Sequence, residues 1–141
     1  MNRERLTELH KLLLSIPEGK FNINFWARGK DGQGSFTKEE AEAFSLEDCS
    51  TAACALGWAA SHPPFMEQGL SLVTLHEDER AYSLCPGFEG VDCYEAGAEF
   101  FGISYRQSEI LFDPLEYELG AEVSPTEVAE RVWELLEMDD A

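Results

Sequence analysis

The segment Cys49-Ser50-Thr51-Ala52-Ala53-Cys54-Ala55-Leu56-Gly57-Trp58-Ala59-Ala60, followed by Pro63-Pro64, constrains the fold more than any other stretch of the chain. Its side chains are almost all small, so neighbouring backbones can approach it closely. A solvent-facing helix needs a polar stripe, and this stretch has none beyond Ser50 and Thr51. It therefore predicts a buried central helix, capped by Ser50 or Thr51 and stopped by the two prolines. Gly57 costs about 1 kcal/mol relative to Ala in a helix interior. Close contact is the reason expected for it.

The remaining elements follow from periodicity and capping residues. Leu6, Leu9, Leu13 and Ile16, with Leu12 beside them, recur at helical spacing and predict an amphipathic helix over 3–16, ended by Pro17-Glu18-Gly19. Phe21, Ile23 and Phe25 alternate with Asn22 and Asn24, as in a short strand or extended segment. Residues 28–37 hold three glycines and read as a surface loop without the spacing of a phosphate-binding motif. Alternation over 70–76 and 80–85 around Glu77-Asp78-Glu79 predicts a β-hairpin, broken by Pro86-Gly87. Asp92 starts a helix through Phe101, ended by Gly102. Ser104 with Gln107 forms a capping box for another, closed by Asp113-Pro114. Ser124-Pro125-Thr126-Glu127 opens the last helix, with Val128, Val132 and Leu135 on one face. The expected fold is α+β and mainly helical: one acidic domain over 1–141, about five helices and a small hairpin. Its expected core includes Leu9, Leu13, Phe25, Trp26, Leu56, Trp58, Phe101, Leu111, Val128 and Val132.

Charge excludes more than it identifies. The 141 residues carry 28 acids and 10 bases, for a net charge of -18. Residues 1–38 are net +3, so residues 39–141 hold -21. Such a chain repels phosphate backbones, which argues against direct nucleic-acid binding. At 44% hydrophobic it has the means to build a core, and no apolar run reaches the roughly 20 residues of a spanning helix. Met1-Asn2-Arg3-Glu4-Arg5 leads into an amphipathic stretch and not a signal-peptide core, so a cytoplasmic protein without membrane attachment is expected.

Each candidate chemistry competes with a structural explanation. Cys49, Cys54, Cys85 and Cys93 lack metal-finger spacing, and nothing requires His62 or His76 to complete a zinc set. Small, buried, reduced thiols are expected, with no metal and no cofactor. A thiol nucleophile is the enzymatic alternative: Cys49 stands at the expected helix start, where the dipole lowers a thiol pKa, with His62 or His76 as base. Residues 96–112 resemble a DNA-binding helix-turn-helix, with Ala98, Gly102, Ile103 and Leu111 in place, but Ser108 stands where an aliphatic residue is wanted. Only Arg106 offers phosphate contacts there, against Glu95, Glu99, Glu109 and Asp113.

Cys49-Ser50-Thr51-Ala52-Ala53-Cys54-Ala55-Leu56-Gly57-Trp58-Ala59 resembles a Cys-Gly-Thr-x-x-Cys-x-x-Gly segment of a family of small bacterial, phage and prophage proteins, with Ser50 in place of the glycine. Phe21-Asn22-Ile23, Trp26, Ala98 to Ser104, Leu111 to Pro114 and Pro125 to Ala129 are similar to its other landmarks in the same order. The resemblance implies a cytosolic, mobile-element setting and carries over no functional residue. Joined with the charge, it gives the expected function: a non-enzymatic inhibitor of the anti-CRISPR or anti-restriction kind, whose acidic surface occupies a basic nucleic-acid-binding site on a host protein. Glu77, Asp78, Glu79, Glu89, Asp92, Glu116 and Glu118, at outward turns, are the expected contacts. The alternatives are a small-ligand binder, taking a nucleotide signal through Arg28, Lys30 and Lys38, and a thiol-dependent enzyme using Cys49.

Overall fold

The computed structural model describes residues 1–17, 19–29, 35–48, 51–76, 82–117 and 123–139. Lys30, Cys49, Ser50, Glu77, Asp78, Glu79 and Glu118 lie outside them. The described elements run α1 (Arg3–Ser15), α2 (Lys38–Glu42), α3 (Ala55–Ala60), α4 (Pro63–Met66), β1 (Ser71–His76), β2 (Tyr82–Phe88), β3 (Val91–Asp92), α5 (Cys93–Phe101), α6 (Tyr105–Phe112), a 3-10 turn (Pro114–Glu116) and α7 (Pro125–Asp139). The fold is α+β. Its seven α-helices exceed the expected five, and the hairpin gains a third antiparallel strand in the order β1-β2-β3.

Most of the legible caps form, although Asp92 stands at the start of α5 without a side-chain capping bond. Ser104 and Gln107 close a reciprocal capping box on α6, Gly102 ends α5 in the left-handed conformation, and Ser124 Oγ accepts from Glu127 N at 3.3 Å. Ser108, the polar residue at the aliphatic position, is fully buried and donates to Tyr94 O at 2.7 Å. The helix pair α5–α6 is thus real. Its one base, Arg106, is paired with Glu116 and Glu109.

Three local expectations need correction. Residues 21–25 form no strand: the Asn22 side chain accepts from Asn24 N and its carbonyl from Phe25 N, so a side-chain turn replaces the extended run. Phe25 consequently stays half-exposed, and Ile23 takes the core position. The small-residue helix begins at Ala55, with Cys54 at its cap. Thr51 is buried instead as a tie, donating to Ser45 O and Asp48 O. Pro63-Pro64 also open a new helix, α4, where missing N–H groups cost nothing. Pro86 does not break the hairpin: it pairs with Leu72, and β3 reaches only Gly87 and Phe88, so β2 has a single neighbour there.

One apolar cluster joins α1, α3, α4, α5, α6 and α7, and includes Leu6, Leu9, Leu56, Phe65, Phe101 and Val132. Trp26 and Trp58 pack against its edge. The helices lack basic residues in their last turns, and arginines from elsewhere fill the gap. Arg5 reaches Phe100 O at 2.8 Å, Arg3 reaches Leu136 O at 3.0 Å, and Arg131 reaches Ile110 O and Glu116 O, each at 2.8 Å.

The central contact is made by backbone. Residues 20–28 wrap the 51–57 segment through Asn22 N to Ala53 O, Ala53 N to Lys20 O, Cys54 N to Phe25 O, and a reciprocal pair between Arg28 and Ala52. A Cβ added at Gly57 would stand 2.0 Å from Trp26 O. Backbone must therefore move to admit even alanine. Gly57→Ala should cost about 3 kcal/mol, the upper part of the overpacking range, read as a lower urea midpoint. An unchanged midpoint would refute this contact.

Candidate functional site

A cavity of about 910 Å³ lies between α2 with its following turn, the α3–α4 corner and β1. Its position follows from local chemistry. Thr37 and Glu40 form a capping box that starts α2, and the buried Ala41 seats that helix against Phe36 and Leu84. Thr51, tied to Ser45 and Asp48, folds the 43–48 turn over the opening.

Phe44, Trp58, Met66 and Leu72 supply an apolar lining. Most polar groups around them are already engaged. Lys20 Nζ donates to Asp48 O and to Thr51 Oγ1, Trp58 Nε1 donates to Lys20 O at 2.9 Å, and Ser61 Oγ donates to Gly57 O at 3.0 Å. His62 Nε2 meets Glu8 Oε1 at 2.9 Å, with its ring edge-on to Phe65. Glu42 and Glu47 are different. Both are exposed at the cleft, and neither carboxylate has a cation partner among the described residues. An apolar lining under free carboxylates suits a cationic group with an aliphatic or planar stem, such as arginine or lysine.

The expected contact residues are dispersed. Glu89 and Asp92 share the β2–β3 turn, around a smaller hollow with Val73 and Phe88. Glu116 is held by Arg106, so its charge is already answered. Of the alternative cationic set, Lys38 is exposed at the first position of α2 and Arg28 is half-buried beside Ala52; neither lines the main cleft. Arg28 Nε is buried without a hydrogen-bond partner.

The described cysteines fall into two environments. Cys54 caps α3, yet burial pushes its thiol up to about 11, with backbone N–H groups of Gly57 and Leu56 opposing. Cys93, expected to be buried, is half-exposed and adopts φ 56°. Its side chain is hydrogen-bonded to that of the fully buried Cys85. That bond lowers the Cys93 pKa, against burial and the Asp92 charge, and is the first of the causes holding Cys85 protonated.

Glu42, Glu47, Phe44 and the Cys85–Cys93 contact were missed from sequence. The capping box Thr37–Glu40 was the one signal that could have placed the first three. Among the described residues, no helix is long and apolar enough to cross a membrane, and no group of three or more His, Cys, Asp or Glu side chains is placed to hold a metal ion. Comparison with protein families, curated proteins and solved structures finds no match.

The Cys54 environment has a measurable consequence. Above pH 9 the unfolded thiol ionises while the folded one stays protonated, so the unfolded state binds fewer protons and stability falls as pH rises. The loss should develop between pH 9 and about 11, at up to about 1.4 kcal/mol per pH unit. Urea midpoints measured across that window should fall less steeply for Cys54→Ala. Parallel profiles would show that Cys54 is not the titrating group.

Proposed function

We propose that this chain is a non-enzymatic binding protein that occupies a basic, nucleic-acid-binding site on a host protein, as an anti-CRISPR or anti-restriction inhibitor would in the host cytoplasm. The cleft carries the reading: its lysine is consumed by backbone and hydroxyl oxygens, while Glu42 and Glu47 stay free over an apolar lining. A partner's arginine or lysine side chain entering there meets both its needs. The charge of -18 adds long-range attraction toward a basic surface and speeds encounter. Glu89 and Asp92 extend the same sign around the β2–β3 connection, and Glu77, Asp78, Glu79 and Glu118, outside the described residues, belong to the same set of proposed contacts. The mobile-element setting rests on the resemblance of Cys49 to Ala59 and its companion segments to phage and prophage proteins.

A second reading, capture of an anionic nucleotide signal by Arg28 with Lys30 and Lys38, is favoured by the orphaned Arg28 Nε. An unsatisfied buried donor costs about 1–3 kcal/mol, which a bound phosphate oxygen would offset. Both readings meet in one experiment. A pull-down from host lysate at low and high salt should retain a basic nucleic-acid-binding protein only at low salt, and Glu42→Lys with Glu47→Lys should weaken that binding at least about tenfold. A nucleotide released on denaturation, lost in Arg28→Ala, would favour the second reading. Salt-insensitive binding unchanged by both reversals would sink the first.

A further inference from the structure

Cys85 and Cys93 come together by topology. The β2–β3 register ends at the Gly87–Asp92 pair, so the chain enters α5 at Cys93 beside the stretch of β2 that carries Cys85. Cys93 then leaves the strand with φ 56°, a conformation that few residues other than glycine and asparagine adopt readily. The turn ends with the two side chains hydrogen-bonded to each other. Exposure divides the pair: Cys85 is sealed in the core, and Cys93 is half-exposed. All three described cysteines are free thiols.

We propose that Cys85 and Cys93 form a reversible oxidation site for hydroperoxides, in which Cys93 is the sulfur attacked and Cys85 the sulfur that closes the disulfide. The assignment of roles follows from access, because only Cys93 can meet a solute. In the first step the Cys93 thiolate attacks the outer oxygen of a hydroperoxide. An S–O bond forms and the O–O bond breaks. The departing alkoxide or hydroxide takes a proton from water, and sulfur gives up two electrons to the peroxide. In the second step Cys85 Sγ attacks the Cys93 sulfenic sulfur. The S–S bond forms and the S–O bond breaks, and the hydroxide leaves as water with the proton Cys85 had held. An external dithiol returns both residues to thiols by exchange, being oxidised in turn to its own disulfide.

Contact between the thiols is what separates this pair from the other cysteines. A lone exposed thiol oxidised by peroxide stops at sulfenic acid or proceeds to irreversible acids. A resolving sulfur already at its side diverts the intermediate first. Cys54, buried in the α3 cap with its pKa pushed up to about 11, takes no part.

The test treats the whole reduced protein with hydrogen peroxide and follows intact mass and peptide maps. The expected product loses two hydrogen atoms, links the Cys85 and Cys93 peptides, and is restored by dithiothreitol. Cys85→Ser should abolish the link and leave Cys93 as a sulfenic acid trapped by dimedone. Cys93→Asn, chosen because asparagine tolerates the left-handed conformation, should abolish both the link and the trapped adduct. Circular dichroism of each variant establishes that it is folded. A parent protein that accumulates trapped sulfenic or sulfinic acid at Cys93 without the disulfide overturns the proposal. So does a disulfide made through Cys49 or Cys54, or a parent mass that peroxide leaves unchanged.

Discussion

Trp26 O can sit against the α3 backbone only because Gly57 has no Cβ, and the architecture is arranged around that approach. The 20–28 turn bonds to 51–54 through main-chain groups, which orients Ala55–Ala60 into the centre of the apolar cluster. From there the neighbours are set. Trp58 Nε1 anchors to Lys20 O, Ser61 Oγ caps back to Gly57 O, and α4 turns away at His62. A larger residue at Gly57 would push the two backbones apart and strain the buried bonds between them. Such groups are costly to leave unpaired. The small side chains are therefore a requirement of hydrogen-bond geometry more than of volume.

Cations and anions occupy different places in this molecule. Arg3, Arg5 and Arg131 bind carbonyl ends of helices, Arg5 also stacks on Phe100, Lys20 serves a turn, and Arg106 holds Glu116. Many carboxylates instead point outward: Glu39, Glu40, Glu42, Glu67, Glu95, Glu99, Glu130 and Glu134 are exposed. These five positive groups thus work as structural donors, and the surface field is left largely to the acids. A basic partner meets that field before it meets any particular residue.

Much of the fold was legible where local signals agree. The helices α1, α5, α6 and α7 each combine apolar periodicity with a cap or a left-handed glycine, and the structure follows all four closely. The 21–25 stretch was misread because alternation looks the same whether backbone or the Asn22 side chain satisfies the next N–H groups. In α2, five residues bury only Ala41, too few to show a period. The cleft was illegible for a related reason. Its walls come from six separate elements, and its free carboxylates differ from the other surface acids only by what lies beneath them. The Cys85–Cys93 contact needed the strand to run past Pro86 and a left-handed backbone at Cys93, neither of which has a sequence mark.

The bond from Arg3 to Leu136 spans 133 positions, and α1 packs along α7 with Leu6, Leu9 and Val132 in the same cluster. Contacts of such separation close the largest loop in the molecule, and loops of this kind are entropically the slowest to form. The apolar face of α1 is therefore synthesised long before its main partner exists. Until α7 arrives, that face has only its smaller contacts with α3 and α5. The first helix of the fold thus waits on the last of the described elements for most of its cover.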